Sequence, residues 1–208
     1  LGEREKRSFR TLALAWLERE TAHARRSSPA HFEVGFGLGE APAGGEPHDP
    51  EPIEVPLGDD RTLRVSGKSD RIDRRDEGLV LRDYKTGRAP RDDGRVFRGG
   101  RQLQIPFYIL ATEKILPEET VVEAFLDYVD AGRQVAFSPA VARGNGFRDL
   151  LVSLVDLIAG GVFVQEPAAC EWCDFKPVCG PRGLLQRRQE IKRGDPRLQR
   201  YLRLRDVV

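Results

Sequence analysis

Apolar residues recur at helical spacing near the start of the chain. Phe9, Leu12, Leu14, Trp16 and Leu17 stand among arginines and glutamates, which predicts an amphipathic helix over residues 4–24. The period then changes to two. "HFEVGFGLGE", beginning at His31, alternates as a strand does, and "IEVPL", "RTLRVSGKSDRID" and "GLVLRDYK" follow as further strands. Residues 41–52 hold Pro, Gly and charge and predict an exposed loop, and the polar, Gly- and Arg-rich residues 88–100 predict another. Helical spacing returns in "RQLQIPFYILATEKI". Pro106 is tolerated there if the helix starts near Gln102 or Leu103, because the first four helical N–H groups have no internal partner. "VVEAFLDYVD" and "RQVAFSP" form a second hairpin around "DAGR", and "GFRDLLVSLVDLIAG" is another helix. A cysteine-bearing loop and a basic helical tail from about Arg182 close the chain, and no internal repeat occurs. This order predicts a mixed sheet with helices on its faces, an α/β fold bordering on α+β.

A length of 208 residues suits one domain with a real core and is short for two. The expected division is a core over residues 1–165, with the cysteine loop and basic tail at 166–208. Composition is ordinary for a globular chain, 39% hydrophobic and 32% charged. The net charge of +1 gives no global basic field, although local patches could still bind polyanions. No run is long and apolar enough to span a membrane and no signal peptide opens the chain, so a soluble, cytoplasmic protein without a membrane partner is expected. The chain opens at Leu1 and holds no methionine, which points to a front that is not the native one.

Chemistry concentrates in "GKSDRIDRRDEGLVLRDYKTG", residues 67–87, two strands joined by a tight turn. With Asp76-Glu77 as a two-residue loop closed by Arg75 and Gly78, Asp70 lies directly across from Asp83. If the turn slips to Glu77-Gly78, Asp70 faces Lys85 instead. Either way all three share a face, because side chains alternate with period two. Opposed carboxylates have Cβ atoms about 4.5–5.5 Å apart and repel, so they call for a cation between them. Hard oxygen ligands suit Mg²⁺, or Mn²⁺ in its place, and Lys85 could hold a phosphate oxygen or orient a water. The resulting chemistry is metal-assisted attack of water on a phosphodiester. A solvated strand face of mixed charge is the plain alternative. Leu79 and Leu81 on the face of Asp83 argue against it, but the pattern alone leaves both standing. Asp73 is on the other face and is expected to pair locally with Arg71, Arg74 or Arg75. "SGKS" is no phosphate-binding loop, because Thr62 stands where the first glycine belongs and a strand continues where a helix should begin.

The combination "GKSDRID…LVLRDYKTG", followed on a helix by Gln104 and Tyr108 at i, i+4, resembles the PD-(D/E)XK nuclease superfamily, closest to the RecB-like and AddB-type exonuclease domains. The resemblance runs from about Phe32 to Cys179. It implies that Asp70 and Asp83 ligate the metal, that Lys85 is the catalytic lysine, and that Gln104 and Tyr108 support the site or contact DNA. Family members usually add an upstream His or Glu ligand. His23 and Glu20 lie on the first helix in a context that does not match, and Glu33 fits a recurrent glutamate for which a structural role is expected.

"CEWCDFKPVCGP" places Cys170, Cys173 and Cys179 in a C-x2-C-x5-C set, which in a cytoplasmic protein argues for metal over disulfide. AddB-type nucleases resemble this arrangement, with three such cysteines after the core and a fourth far upstream. The resemblance therefore implies a 4Fe–4S cluster in a longer protein, the front of this chain being truncated. Three free buried cysteines are the simpler alternative. Trp172 and Phe175 would shield a cluster or pack, packing being the plainer expectation. The function expected is DNA hydrolysis, on single strands fed by a helicase subunit or a helicase part of the same polypeptide. Arg88, Arg91, Arg98 and Arg101, with the arginines after Arg182, would track the phosphate backbone without reading sequence. The alternative is a non-catalytic DNA-end or partner-binding module of the same fold. A sequence-specific endonuclease fits the cysteine loop poorly.

Overall fold

The computed structural model describes residues 2–39, 44–87, 89, 96–165, 170 and 173–205. Helix α1 (Glu3–His23) leads to strands β1 (Ser28–Phe36), β2 (His48–Asp49), β3 (Ile53–Gly58), β4 (Arg61–Val65), β5 (Gly67–Arg75) and β6 (Gly78–Lys85). Then come α2 (Gln104–Ile115), β7 (Val121–Tyr128), β8 (Arg133–Phe137), α3 (Ala140–Arg143) and α4 (Asn145–Ala159), and finally α5 (Lys176–Cys179), α6 (Arg182–Ile191) and α7 (Pro196–Arg205). Six strands form a mixed sheet in the order β2-β1-β5-β6-β7-β8, and β3 with β4 forms a separate two-stranded sheet. Strands β6 and β7 run parallel, with α2 as the crossover between them. The fold is mixed α/β with helices on the sheet, as the order of elements predicts.

Two local expectations need correction. The run "RTLRVSGKSDRID" is two strands in two sheets, parted at Ser66. The ring of Phe36 lies against Gly67, where a Cβ would come within 2.9 Å of it, so the glycine lets the chain pass from one sheet to the other. The segment expected as pure loop also holds β2, whose His48 and Asp49 pair in parallel with Gly35 and Phe36.

One face of the main sheet carries the apolar core. Ile72, Leu79, Leu81, Ala124 and Leu126 join Ile105 and Ile109 of α2 and Phe147, Leu150 and Leu151 of α4 in one buried cluster. Phe97 stacks on Phe147 at 5.6 Å between ring centroids, and Phe107 meets the same ring edge-on. Pro106 sits in the first turn of α2, where it removes no helical hydrogen bond.

On the opposite face the last turns of α1 dock through polar side chains: Arg19 donates to the Val129 carbonyl, His23 meets Gln134, and Glu20 forms ion pairs. Arg71 and Arg82 are cross-strand partners on that face. Glu20 bridges them, with Oε2 2.6 Å from Arg71 Nη1 and Oε1 2.9 Å from Arg82 Nη1. Beneath, Asp73 takes Arg71 Nε at 2.5 Å and Arg82 Nε at 2.8 Å. Asp73 and Arg82 are both fully buried. The local pairing of Asp73 with Arg71 is therefore present, joined by Arg82 from the next strand. None of the side chains of α1 is fully buried, and Phe9, Leu14 and Leu17 are exposed over half their surface or more.

Candidate active site

The β5–β6 ladder runs from Arg75↔Gly78 to Arg71↔Arg82. That register makes Asp76-Glu77 the two-residue turn and sets Asp70 level with Asp83. Gly78 closes the turn at φ 143, where a Cβ would come 2.4 Å from the Thr120 carbonyl oxygen, so only glycine fits. Past Arg71↔Arg82 the ladder ends. The Tyr84 N–H donates to Asp70 Oδ2 at 2.9 Å in place of a backbone carbonyl. From there β5 continues against β1 while β6 continues against β7 as far as Lys85↔Tyr128. The two strands part where the carboxylates stand, with Asp70 on one arm and Asp83 on the other.

Asp83 is 2% exposed and Asp70 is half-buried. Burial pushes the Asp83 carboxyl above the usual carboxylate range. Lys85 pulls it back, and the like charge of Asp70 adds to the rise. Lys85 Nζ lies 2.5 Å from Asp83 Oδ2, close enough for strong charge attraction, yet no well-angled hydrogen bond reaches that buried oxygen. The ammonium donates instead to Gln104 Oε1 at 2.7 Å, and Gln104 Nε2 donates to the Tyr108 hydroxyl at 3.3 Å. Burial, and then the charges of Asp83 and Asp70, raise the Tyr108 hydroxyl pKa and keep it neutral. Its ring is anchored edge-on to Phe36, 6.2 Å between centroids. The structure thus brings Asp70, Asp83, Lys85, Gln104 and Tyr108 together, with the first turn of α2 bracing the lysine.

Other anticipated residues lie elsewhere. Glu20 is committed to Arg71 and Arg82 behind the sheet, and His23 Nε2 sits 3.1 Å from Gln134 Nε2 on that side. Neither reaches the carboxylate pair. Arg98 belongs to a 3-10 turn, Arg98–Gly100, with Arg101 directly after it, while Arg88 and Arg91 fall outside the described residues. Cys170, Cys173 and Cys179 are half-buried free thiols. Phe175 is 70% exposed, where packing was the plainer expectation, and Trp172 lies outside the described residues. Among the described residues, no three or more His, Cys, Asp or Glu side chains gather as a metal site. Two features escaped the sequence reading: the buried Arg82 and the pair formed by Lys68 with Glu33. The period-two spacing of Lys68 and Asp70 was the available signal for the second.

The donor set fits a hard divalent cation. Two carboxylates from parted strands, one with a buried oxygen accepting no hydrogen bond, leave the remaining coordination positions to water and phosphate. The three thiols do not by themselves make a four-thiolate iron–sulfur site.

The family model of the PD-(D/E)XK nuclease superfamily matches residues 1–180. The chain belongs to that superfamily. Its members generally use divalent metals such as Mg²⁺, which agrees with the donor set, and membership in this nuclease superfamily points to nuclease chemistry. A solved structure titled "Crystal structure of SSO0001" is similar at 12% identity, covering 82% of this chain and 68% of that one, with a TM-score of 0.36. No curated protein matches the chain. Among the described residues, no helix is long and apolar enough to cross a membrane.

Proposed function

We propose that this domain is a Mg²⁺-dependent deoxyribonuclease, the exonuclease part of a RecB/AddB-like helicase–nuclease acting in DNA repair. The observation that carries the reading is the parting of β5 from β6 at Asp70 and Asp83, with Lys85 braced beside them by Gln104. Bound at the two carboxylates, Mg²⁺ would acidify the attacking water and neutralise charge on the phosphate. The chain's own residues supply the rest. The Tyr84 N–H occupies one Asp70 oxygen and fixes the carboxylate plane. Asp83 and Gln104 together hold Lys85 Nζ, so the ammonium is presented without rotamer search to a non-bridging phosphate oxygen or to the attacking water. Tyr108, neutral and anchored on Phe36, orients the Gln104 amide so that its oxygen faces the lysine.

DNA is the proposed substrate, entering as a single strand delivered by a helicase subunit or domain. Helix α7 packs against the 3-10 turn that carries Arg98, which supports a continuous basic track from that loop to the tail. With about four phosphates contacted on a single strand, log K should fall against log salt with a slope of roughly −3. A cytoplasmic setting follows from the helicase reading. For Cys170, Cys173 and Cys179 the proposal is a structural 4Fe–4S cluster completed by a cysteine from outside this chain. Iron analysis of an anaerobically purified longer protein tests it, and stoichiometric zinc without iron would overturn it.

The deciding experiment is a gel assay on end-labelled single- and double-stranded DNA with Mg²⁺, Mn²⁺ or EDTA. Metal-dependent cleavage lost in Asp83→Ala is expected. Binding without cleavage under every metal condition would favour a non-catalytic DNA-end module of the same fold.

A further inference from the structure

Lys68 stands two residues before Asp70 on β5, as Lys85 stands two residues beyond Asp83 on β6. Extending the Arg71↔Arg82 register outward brings the two lysines level, one on each arm of the split. Lys85 is braced by Asp83 and Gln104. Lys68 is nearly half exposed, and its ion-pair partner among the described residues is Glu33, equally exposed. Glu33 has a φ of 56, a conformation uncommon for a residue with a side chain, inside a strand that otherwise pairs with β5. Its neighbours Phe32 and Val34 pair with Arg71 and Ser69, so Glu33 is level with Asp70. Unusual backbone and a solvent-exposed ion pair thus meet beside the carboxylates. Exposed pairs of this kind contribute little to stability, so the Lys68–Glu33 contact is readily exchanged for another anion.

Resting on the nuclease reading, we propose that Lys68 is a second phosphate-binding lysine of this site, on the arm opposite Lys85. Glu33 holds it in the free protein, and a nucleic-acid phosphate displaces the glutamate when the strand binds. Glu33 then acts as a counter-anion: it positions the ammonium beforehand, and it competes with any phosphate that does not reach Lys68 squarely.

Fluorescence anisotropy of a labelled oligothymidine, titrated in EDTA at several salt concentrations, tests this with Lys68→Ala, Lys68→Gln, Glu33→Gln and the Lys68→Ala/Glu33→Gln double variant. Both Lys68 variants should bind several-fold more weakly and lower the magnitude of the salt slope by about 0.7, the loss of one single-strand phosphate contact. Glu33→Gln should bind more tightly than wild type, and that gain should vanish when Lys68 is absent, a coupling that a merely structural pair does not produce. With metal added, KM for DNA should rise by a larger factor than kcat falls in Lys68→Ala. Unchanged affinity and slope in both Lys68 variants, or a Glu33→Gln gain that survives without Lys68, would overturn the assignment. If wild type cleaves DNA while these variants bind like it, the role of Lys68 alone is lost. If wild type neither binds nor cleaves, the nuclease reading goes, and this inference with it.

Discussion

At Asp83 the fold holds a carboxylate almost wholly out of water, and burial raises its pKa in the metal-free protein. The folded state therefore binds the proton more tightly than the unfolded chain. The stability linked to that proton is intact below the ordinary Asp pKa of about 3.9 and is lost as pH rises through the raised value. Asp83→Asn, which needs no proton to be neutral, should be more stable than wild type at pH 7 in EDTA. The two should converge on acidification below about pH 4, as followed by urea titration. A wild type that is the more stable at neutral pH would show that the Lys85 contact outweighs burial. With Mg²⁺ supplied, DNA hydrolysis should be abolished in Asp83→Asn, as it should in Lys85→Ala. The residues of this site were legible because their signals are local: a tight turn fixes the register, and period two puts Asp70, Asp83 and Lys85 on one face. The parting of the strands was not legible. It arises because β1 draws β5 one way and β7 draws β6 the other, and those pairings join residues far apart in sequence.

Among the elements, α1 shows how far a helical period can be trusted. The spacing of Phe9, Leu12, Leu14, Trp16 and Leu17 identifies a helix, and of these only Leu12 and Trp16 are half-buried. Its long-range hydrogen bonds and ion pairs among the described residues come from the polar side chains of its last turns, Arg19, His23 and above all Glu20, which reaches two arginines on adjacent strands. An arginine on a strand reads as solvated, so nothing local marks Arg82 as fully buried between Asp73, Glu20 and Asp127. Only the tertiary placement of α1 does. Removing one partner of a buried ionic cluster leaves uncompensated charge, which typically costs about 3–5 kcal/mol. Arg82→Ala should therefore lower the unfolding free energy by an amount of that order, read in urea as a lower midpoint at unchanged denaturant slope. Glu20→Ala should cost less, because Glu20 retains partial access to water, and Arg71 keeps its contact with Asp73. A loss in Glu20→Ala equal to or larger than that in Arg82→Ala would place the weight of the cluster on α1 and away from the sheet.

At the scale of the molecule, the question is what fastens the carboxyl-terminal tail to the nuclease fold. Two kinds of contact compete. Asp156 of α4 receives Arg61 from the small sheet at 2.6 Å and Arg200 from α7 at 2.5 Å, but these arginines are substantially exposed and such pairs are screened. Leu204 of α7, by contrast, is buried in the same apolar cluster as Phe147, Leu150 and Leu151. Truncating a buried leucine leaves a cavity as well as losing apolar burial, and costs about 2–5 kcal/mol. Leu204→Ala should therefore destabilise the protein well beyond Asp156→Ala in thermal or urea unfolding, and added salt should narrow only the Asp156 effect. Because α7 also packs against the turn at Arg98, loosening it should weaken DNA binding without touching Asp70, Asp83 or Lys85. Affinity for oligothymidine should thus fall in Leu204→Ala while kcat at saturating DNA holds, when both are measured well below the unfolding midpoint. If kcat falls in step with affinity, the tail supports the carboxylate site itself, and the basic track ends at the loop before α2.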